Sequence, residues 1–232
     1  RRVLGAAAGL AAAYLLLAYA LLPWLWTVDE ARHHPALDAA PVVTHNADGI
    51  PGDPVNVGLV GTGRELIAAM LAIGWRPADP ITLRSSLAIA ESVLLDRPDP
   101  QAPVSALYLF DRKQDLAFEH EVGASADRRH HVRWWQAPDA PGATRPLWLG
   151  SATYDEGSGV SHLTGQITHH IGPDVDAERD ALLAALGQAG RLEGQYAWPG
   201  IGATRDGRNA GGDRYATDGM ALVGVLRAAA AR

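Results

Sequence analysis

The side chains most able to do chemistry in this sequence are histidines and arginines spaced two apart. They fall in two segments, Arg-Arg-His-His-Val-Arg at 128–133 and Ser-His-Leu-Thr-Gly-Gln-Ile-Thr-His-His-Ile at 161–171. Both read as β-strands, and successive side chains of a strand point to opposite faces. Across 128–136, Arg129, His131 and Arg133 therefore share one face, and His130, Val132 and Trp134 share the other. Across 161–171, His162, Thr164, Gln166, Thr168 and His170 share a polar face, opposite Leu163, Gly165, Ile167, His169 and Ile171. A third run, 147–155, sets Leu147, Leu149, Ser151, Thr153 and Asp155 opposite Trp148, Gly150, Ala152 and Tyr154. If these strands are neighbours, their polar sides merge into one patch holding Arg129, His131, Arg133, Ser151, Thr153, Asp155, His162, Gln166 and His170.

Such a patch admits three readings. His131, His162 and His170 with Asp155 supply imidazole and carboxylate ligands for a divalent metal that would activate water. Arg129 and Arg133, helped by protonatable histidines, would instead hold a phosphate or carboxylate through charge-assisted hydrogen bonds. The bland alternative is a solvated sheet face of ordinary polar residues, common on antiparallel sheets. His130 and His169, set beside apolar neighbours, are expected to serve structure. A late loop, 204–214, adds Arg205, Asp206, Arg208, Asn209, Asp213 and Arg214 among glycines. Glycine lets backbone approach a ligand closely, with Arg208 as the candidate contact, although polar glycine-rich loops more commonly just join strands.

The elements that must position these residues can be read along the chain. Residues 3–26 carry no charge and are dominated by Ala and Leu. About 20 apolar residues span a bilayer core, so 1–28 reads as a transmembrane helix, with Pro23, Trp24 and Trp26 at its interfacial end. Arg1 and Arg2 precede it and Asp29 and Glu30 follow it, which places the amino terminus inside and the remainder outside the membrane. A cleaved signal peptide and a buried core helix compete with this reading, but no clean small-residue cleavage site follows the run and no polar spacing interrupts it. Residues 29–52, rich in Pro and Gly, read as a linker with little regular structure, and 53–232 as the domain. Within it, 55–60 reads as a strand, 64–73 as a helix closed by Gly74, and 80–95 as a second helix after Asp79. A hairpin is expected from 105–110 and 115–121 around Asp111. Strands follow at 128–136, 146–154 and 161–171, then a helix at 174–186 and strands at 191–197 and 219–226. This order implies an α+β fold: a largely antiparallel sheet with helices, preceded by one transmembrane helix.

Composition closes off other chemistries. The absence of cysteine removes thiolate nucleophiles, disulfides and every zinc motif that needs Cys. A formal net charge of −6 argues against nucleic acid as a partner. Gly58-Leu-Val-Gly-Thr-Gly63 has the wrong glycine spacing for a dinucleotide loop, and no Walker A, H-E-x-x-H or G-x-S-x-G sequence occurs. The acids at 174–180 suit a helix amino terminus better than a Ca²⁺ loop, since the loop glycine and late Glu are missing. No cofactor is specified by any motif.

Six stretches, at 52–61, 74–87, 128–133, 161–171, 174–180 and 211–219, together resemble the LssY-type C-terminal domain family. They include Gly-Asp-Pro-Val-Asn-Val-Gly-Leu-Val-Gly at 52–61 and Gly-Gly-Asp-Arg-Tyr-Ala-Thr-Asp-Gly at 211–219. The resemblance implies one domain over most of the chain and a bacterial membrane setting. Some relatives join this domain to membrane-embedded phosphatase-like regions, but this chain shows one span, so no such catalytic core carries over. The resemblance assigns no catalytic residues.

The leading expectation is a single-pass inner-membrane protein of the bacterial cell envelope, lying against the lipid bilayer, whose domain binds an anionic small molecule or a membrane protein. A metal-dependent hydrolase of a phosphorylated or lipid-linked substrate is the alternative. A structural subunit of a membrane complex is a third, supported only by the small-x-x-x-small pair Gly5 and Gly9.

Overall fold

The computed structural model describes residues 2–25, 33–78, 106–122, 128–163, 165 and 167–228. The chain starts as α1, Arg2–Leu16, passes through a π-helical turn at Leu17–Leu21 and stays helical to Leu25. Its stretch Gly5–Leu25 is 21 residues, long and apolar enough to cross a membrane, and none of it is buried against the protein. That exposure counts against the core-helix alternative, because a core helix would be covered.

The domain is built on one twisted eight-stranded sheet. Its strands are β3 (Val57–Val60), β4 (Arg76–Pro77), β7 (Leu116–Glu121), β8 (Arg129–Gln136), β9 (Leu147–Val160), β10 (Ile167–Ile171), β11 (Leu192–Pro199) and β14 (Met220–Leu226). They run in the order β11-β14-β3-β9-β8-β7-β4, with β10 paired to the outer half of β9. Every pair is antiparallel except β14 with β3. A mixed α+β fold with an antiparallel-rich sheet is therefore what the chain adopts.

Among the described residues, two helices cover one face. Thr62 caps α2 (Gly63–Ala72) with a capping box: its hydroxyl accepts from the Glu65 amide and the Glu65 carboxylate accepts from the Thr62 amide. The helix ends on Gly74, whose φ of +82° only glycine adopts freely. Helix α3 (Val175–Gln188) buries Val175, Arg179, Leu182, Leu183 and Leu186, the spacing of one helical stripe. These stripes pack with Leu59, Phe118, Val132, Trp134, Trp148 and Ala152 from the sheet.

The opposite face meets a small second sheet, β2-β1-β5-β6, made of β1 (Val43–His45), β2 (Pro51–Pro54), β5 (Tyr108–Leu109) and β6 (Arg112–Lys113). Leu37, Val55, Leu107, Leu109, Trp135, Leu147, Leu149 and Val223 fill the space between the sheets. Between β13 (Arg214–Thr217) and β12 (Thr204–Arg208) a separate hairpin forms.

Several expectations change here. Among the described residues, the segment expected as a linker carries β1, the first two residues of β2 and a 3-10 turn at Pro35–Leu37, with Leu37 in the core. His34 fixes that turn: Nδ1 accepts from the Ala36 amide at 3.1 Å, Nε2 donates to the Arg145 carbonyl at 2.7 Å, and its amide donates to the Tyr196 hydroxyl at 3.1 Å. The hairpin around Asp111 is tighter than expected. Phe110 and Asp111 have φ of 52° and 58°, a two-residue turn with both central residues left-handed, so β5 pairs with β6 and β7 instead joins the main sheet. The loop 200–218 holds the β12–β13 hairpin. The strand expected at 161–171 begins only at Ile167. The helix expected at 80–95 lies outside the described residues.

One buried amide explains how β10 is accommodated. Beyond Gly150, β9 loses β3 as a neighbour, and the Asn56 side chain takes over. Its Nδ2 donates to the Ala152 carbonyl at 2.9 Å and its Oδ1 accepts from the Ala152 amide at 2.9 Å. The β9 edge is then free for β10 from Asp155 onward, and Asp155 pairs with Arg129 on one side and Ile171 on the other.

Candidate functional site

Strands β8 and β9 pair so that Arg129 faces Asp155, His131 faces Thr153 and Arg133 faces Ser151. These are the neighbours the alternation of faces called for. The face they occupy is not the solvated one of the bland alternative. All six side chains are buried, His131 and Asp155 to 2% exposure. The face points away from the helices, toward β2 and the turn at 209–213. Buried polar groups must be paired or they cost free energy.

Arg129 is fully engaged. Its Nε donates to Asp155 Oδ2 at 3.1 Å, one terminal nitrogen to Glu119 Oε2 at 2.8 Å, and the other meets His169 Nε2 at 3.0 Å. His169 therefore reaches the polar face, and not the apolar face that its alternation suggested. Burial raises the Glu119 pKa, with Arg129 opposing.

The centre of the face is different. Arg133 approaches Asp53 at 3.5 Å, beyond good hydrogen-bond geometry, and its Nε has no partner. His131 Nδ1, Ser151 Oγ and Thr153 Oγ1 are also buried without a hydrogen bond. Elsewhere among the described residues, buried side-chain atoms in this state are Gln114 Oε1 and Trp134 Nε1. Burial pushes His131 well below the ordinary histidine value, and the charges of Arg133 and Arg129 push the same way, so its imidazole is neutral. Burial also lowers the Arg133 pKa against the pull of Asp53 and Asp155. It raises that of Asp53, with Arg133 and an Asn209 hydrogen bond opposing. Each charge of the Arg133–Asp53 pair is thus held at a desolvation cost.

A second cluster adjoins this face. His170 Nδ1 lies 2.6 Å from Asp213 Oδ1, and the His162 and His170 rings are 5.2 Å apart. Asp213 Oδ2 accepts from the Ile171 amide at 3.1 Å and from Asn209 Nδ2 at 3.4 Å, while Asn209 Nδ2 also donates to Asp53 Oδ1 at 3.0 Å. The polar network therefore runs from His170 through Asp213, Asn209 and Asp53 to Arg133. The turn at 161–163 docks onto the late loop: the His162 amide donates to the Gly211 carbonyl at 2.9 Å. The late loop is more than a connector, because Asn209 and Asp213 are buried in the network.

The expected patch thus divides. Arg129, His131, Arg133, Ser151, Thr153 and Asp155 form the buried face, and His162 and His170 join Asp213 beside it. His131 and Asp155 do not join His162 and His170 in one shell. His131 Nδ1 is 3.8 Å from Asp155 Oδ2, on the buried face. Arg208 lies exposed on β12 opposite Arg214, outside both groups. Gln166 lies outside the described residues. Asp53, Glu119, Asn209 and Asp213 complete the site from distant parts of the sequence. Asp213 stood in the glycine-rich loop as a visible polar residue, whereas nothing local marked Asp53 or Glu119.

The acids at 174–180 are accounted for without a ligand. Asp174 caps α3, Asp176 accepts from the Thr217 hydroxyl at 2.7 Å and the Asp218 amide at 2.6 Å, and Glu178 binds His130 at 2.6 Å. Arg179 ties Asp180 and Asp218 together.

No curated protein and no solved structure matches this chain. The family model described as LssY C-terminus matches residues 37–221, a span that takes in Leu37, both polar clusters and the main sheet as far as the first two residues of β14. The chain belongs to the LssY C-terminus family.

Proposed function

We propose that this is a single-pass protein of the bacterial inner membrane whose extracytoplasmic domain binds a small anionic group, presented by a soluble ligand or a membrane component. The observation that carries this reading is the set of unpartnered buried atoms at the centre of the β8–β9 face: His131 Nδ1, Arg133 Nε, Ser151 Oγ and Thr153 Oγ1. Two hydroxyls, a guanidinium N–H and an imidazole nitrogen are a donor set suited to oxyanion atoms. The membrane placement rests on the exposed apolar helix, and its orientation on Arg1 and Arg2 before the span against Asp29 and Glu30 after it. The test is thermal unfolding of the full chain in detergent with inorganic phosphate, and in parallel with vesicles of phosphatidylglycerol. Saturable stabilisation by either probe, weakened about tenfold or more in Thr153→Val, supports the reading. No saturable effect from either probe would discard it.

A hydrolase of a phosphorylated or lipid-linked substrate is the second reading. The convergence of His162, His170 and Asp213 favours it. Turnover of an aryl phosphate by the metal-supplemented chain, abolished in His170→Ala, is the measurement that decides it.

A further inference from the structure

We propose that His162, His170 and Asp213 form a binding site for one divalent transition-metal ion, at the solvent edge of the polar network. Each of the three offers a ligand atom, and these atoms all lie within 4.8 Å of one another. Ligands bonded at 2.0–2.1 Å around a tetrahedral ion stand about 3.3 Å apart, so a small contraction completes the site. The required freedom is present on one side only. Asp213 is held by the Ile171 amide and by Asn209, whereas His162 is exposed on a short turn and its ring makes no hydrogen bond. Two imidazoles and a carboxylate select a borderline ion such as zinc over magnesium or calcium, which prefer all-oxygen shells.

Two glycines make this arrangement possible. A Cβ on Gly159 would collide with the His170 ring, so the imidazole lies directly over the β9 backbone. Gly212, with φ of +86°, brings its Cα so near His162 that an added Cβ would stand 2.8 Å from the His162 Cβ. The loop carrying Asp213 and the turn carrying His162 can therefore close on each other. Three protein ligands leave coordination positions open, and the exposure of His162 turns them toward solvent. In a plain ion pair, Asp213 would need only His170. It would not need a second imidazole 5.2 Å away and tilted 37° to the first. The site is independent of the anion-binding reading, since none of these three residues contributes an unpartnered buried atom to it.

The experiment uses the full chain in detergent, without a polyhistidine tag and stripped by chelator. Zn²⁺ is titrated against a chromophoric competitor, and Co²⁺ is followed by its visible absorption. One equivalent per chain is expected, with a tetrahedral Co²⁺ band. Loss of an outer-shell partner alone weakens metal sites about 10–100-fold, so His162→Ala and Asp213→Asn should each weaken binding at least that much. His162→Ala alters an exposed turn and should fold normally by circular dichroism. His120→Ala, an exposed histidine elsewhere, should bind as the unaltered chain does. No bound equivalent in the unaltered chain, or an undiminished equivalent and Co²⁺ band in His162→Ala, would overturn the proposal and leave His170–Asp213 as a structural ion pair.

Discussion

Ser151 and Thr153 place hydroxyls in a buried space without a hydrogen-bond partner, which ordinarily costs about 1–3 kcal/mol per group. If those hydroxyls await a ligand, removing them should not harm the free protein. Ser151→Ala and Thr153→Val are expected to leave stability unchanged or raise it by up to about 3 kcal/mol in urea unfolding, while ligand affinity falls. A loss beyond about 1 kcal/mol would mean the hydroxyls are satisfied in the free protein. His130 and His131 give a second prediction at this scale. They are neighbours on opposite faces, and their pKa values are displaced in opposite directions. The Glu178 hydrogen bond raises His130 above 6.5, and burial drives His131 well below it. The His130 contribution is therefore fully present below pH 6.5 and lost as pH rises through its folded value. The His131 contribution is present above pH 6.5 and lost as pH falls toward its folded value. His130→Gln should flatten the decline of stability on the alkaline side, and His131→Gln the decline on the acid side. The opposing drift from Asp53 and Glu119, whose values are raised, cancels when each variant is compared with the unaltered chain.

At the scale of elements, the glycines separate strain from positioning. Gly219 has φ of +82° and lies against the backbone of Gly202 at the start of β14. Gly219→Ala meets main chain that cannot yield, and a loss of more than about 2 kcal/mol is expected in chemical unfolding. Gly159→Ala meets only the far edge of the His170 ring, which can swing aside. That variant should fold with a smaller loss, while its His170 ring resonances shift in NMR as the bond to Asp213 breaks. Equal losses in the two variants would contradict this division. The contrast also shows why the glycine-rich end of the chain was open to two readings: a glycine that admits a ligand and one that lets two backbones touch look identical in sequence.

For the whole molecule, the folded unit begins within the segment expected as a linker, and an exposed apolar helix precedes it. Leu37 is 2% exposed and packs between the two sheets, within a segment whose Pro and Gly content suggested a linker. Leu37→Ala should cost about 2–5 kcal/mol of global stability, as a core truncation does, and a loss under about 0.5 kcal/mol would return that segment to linker status. The helix Gly5–Leu25 exposes Leu10, Tyr14, Leu16, Tyr19 and Trp24. Deleting residues 2–25 should shift the protein from the detergent-soluble to the aqueous fraction on membrane extraction.

The sequence by itself determined what is local. An uncharged apolar run defines the first helix, period-two alternation sorts β8 and β9 into faces, and capping residues bound α2 and α3. Each depends on residues within a few positions of one another, so spacing suffices. The alternation also put Arg129, His131 and Arg133 on one face of β8, and Ser151, Thr153 and Asp155 on one face of β9, and the register sets these residues opposite one another. Alternation could not say that the face is buried, because burial depends on β2 and the late loop folding over it. Nor could it pair Asn209 with Asp53, whose hydrogen bond spans 156 positions. The same limit explains the strand expected at 161–171. Its alternation continues to His162, but β9 itself runs on to Val160, whose partner is Ile167, so Ser161, His162 and Leu163 fall beyond the pairing, and His162 docks onto Gly211 instead. Tertiary structure alone decided that His131 belongs with Arg133 and Thr153, and that His162 and His170 belong with Asp213. Long-range packing brings those groups together, and no local period records it.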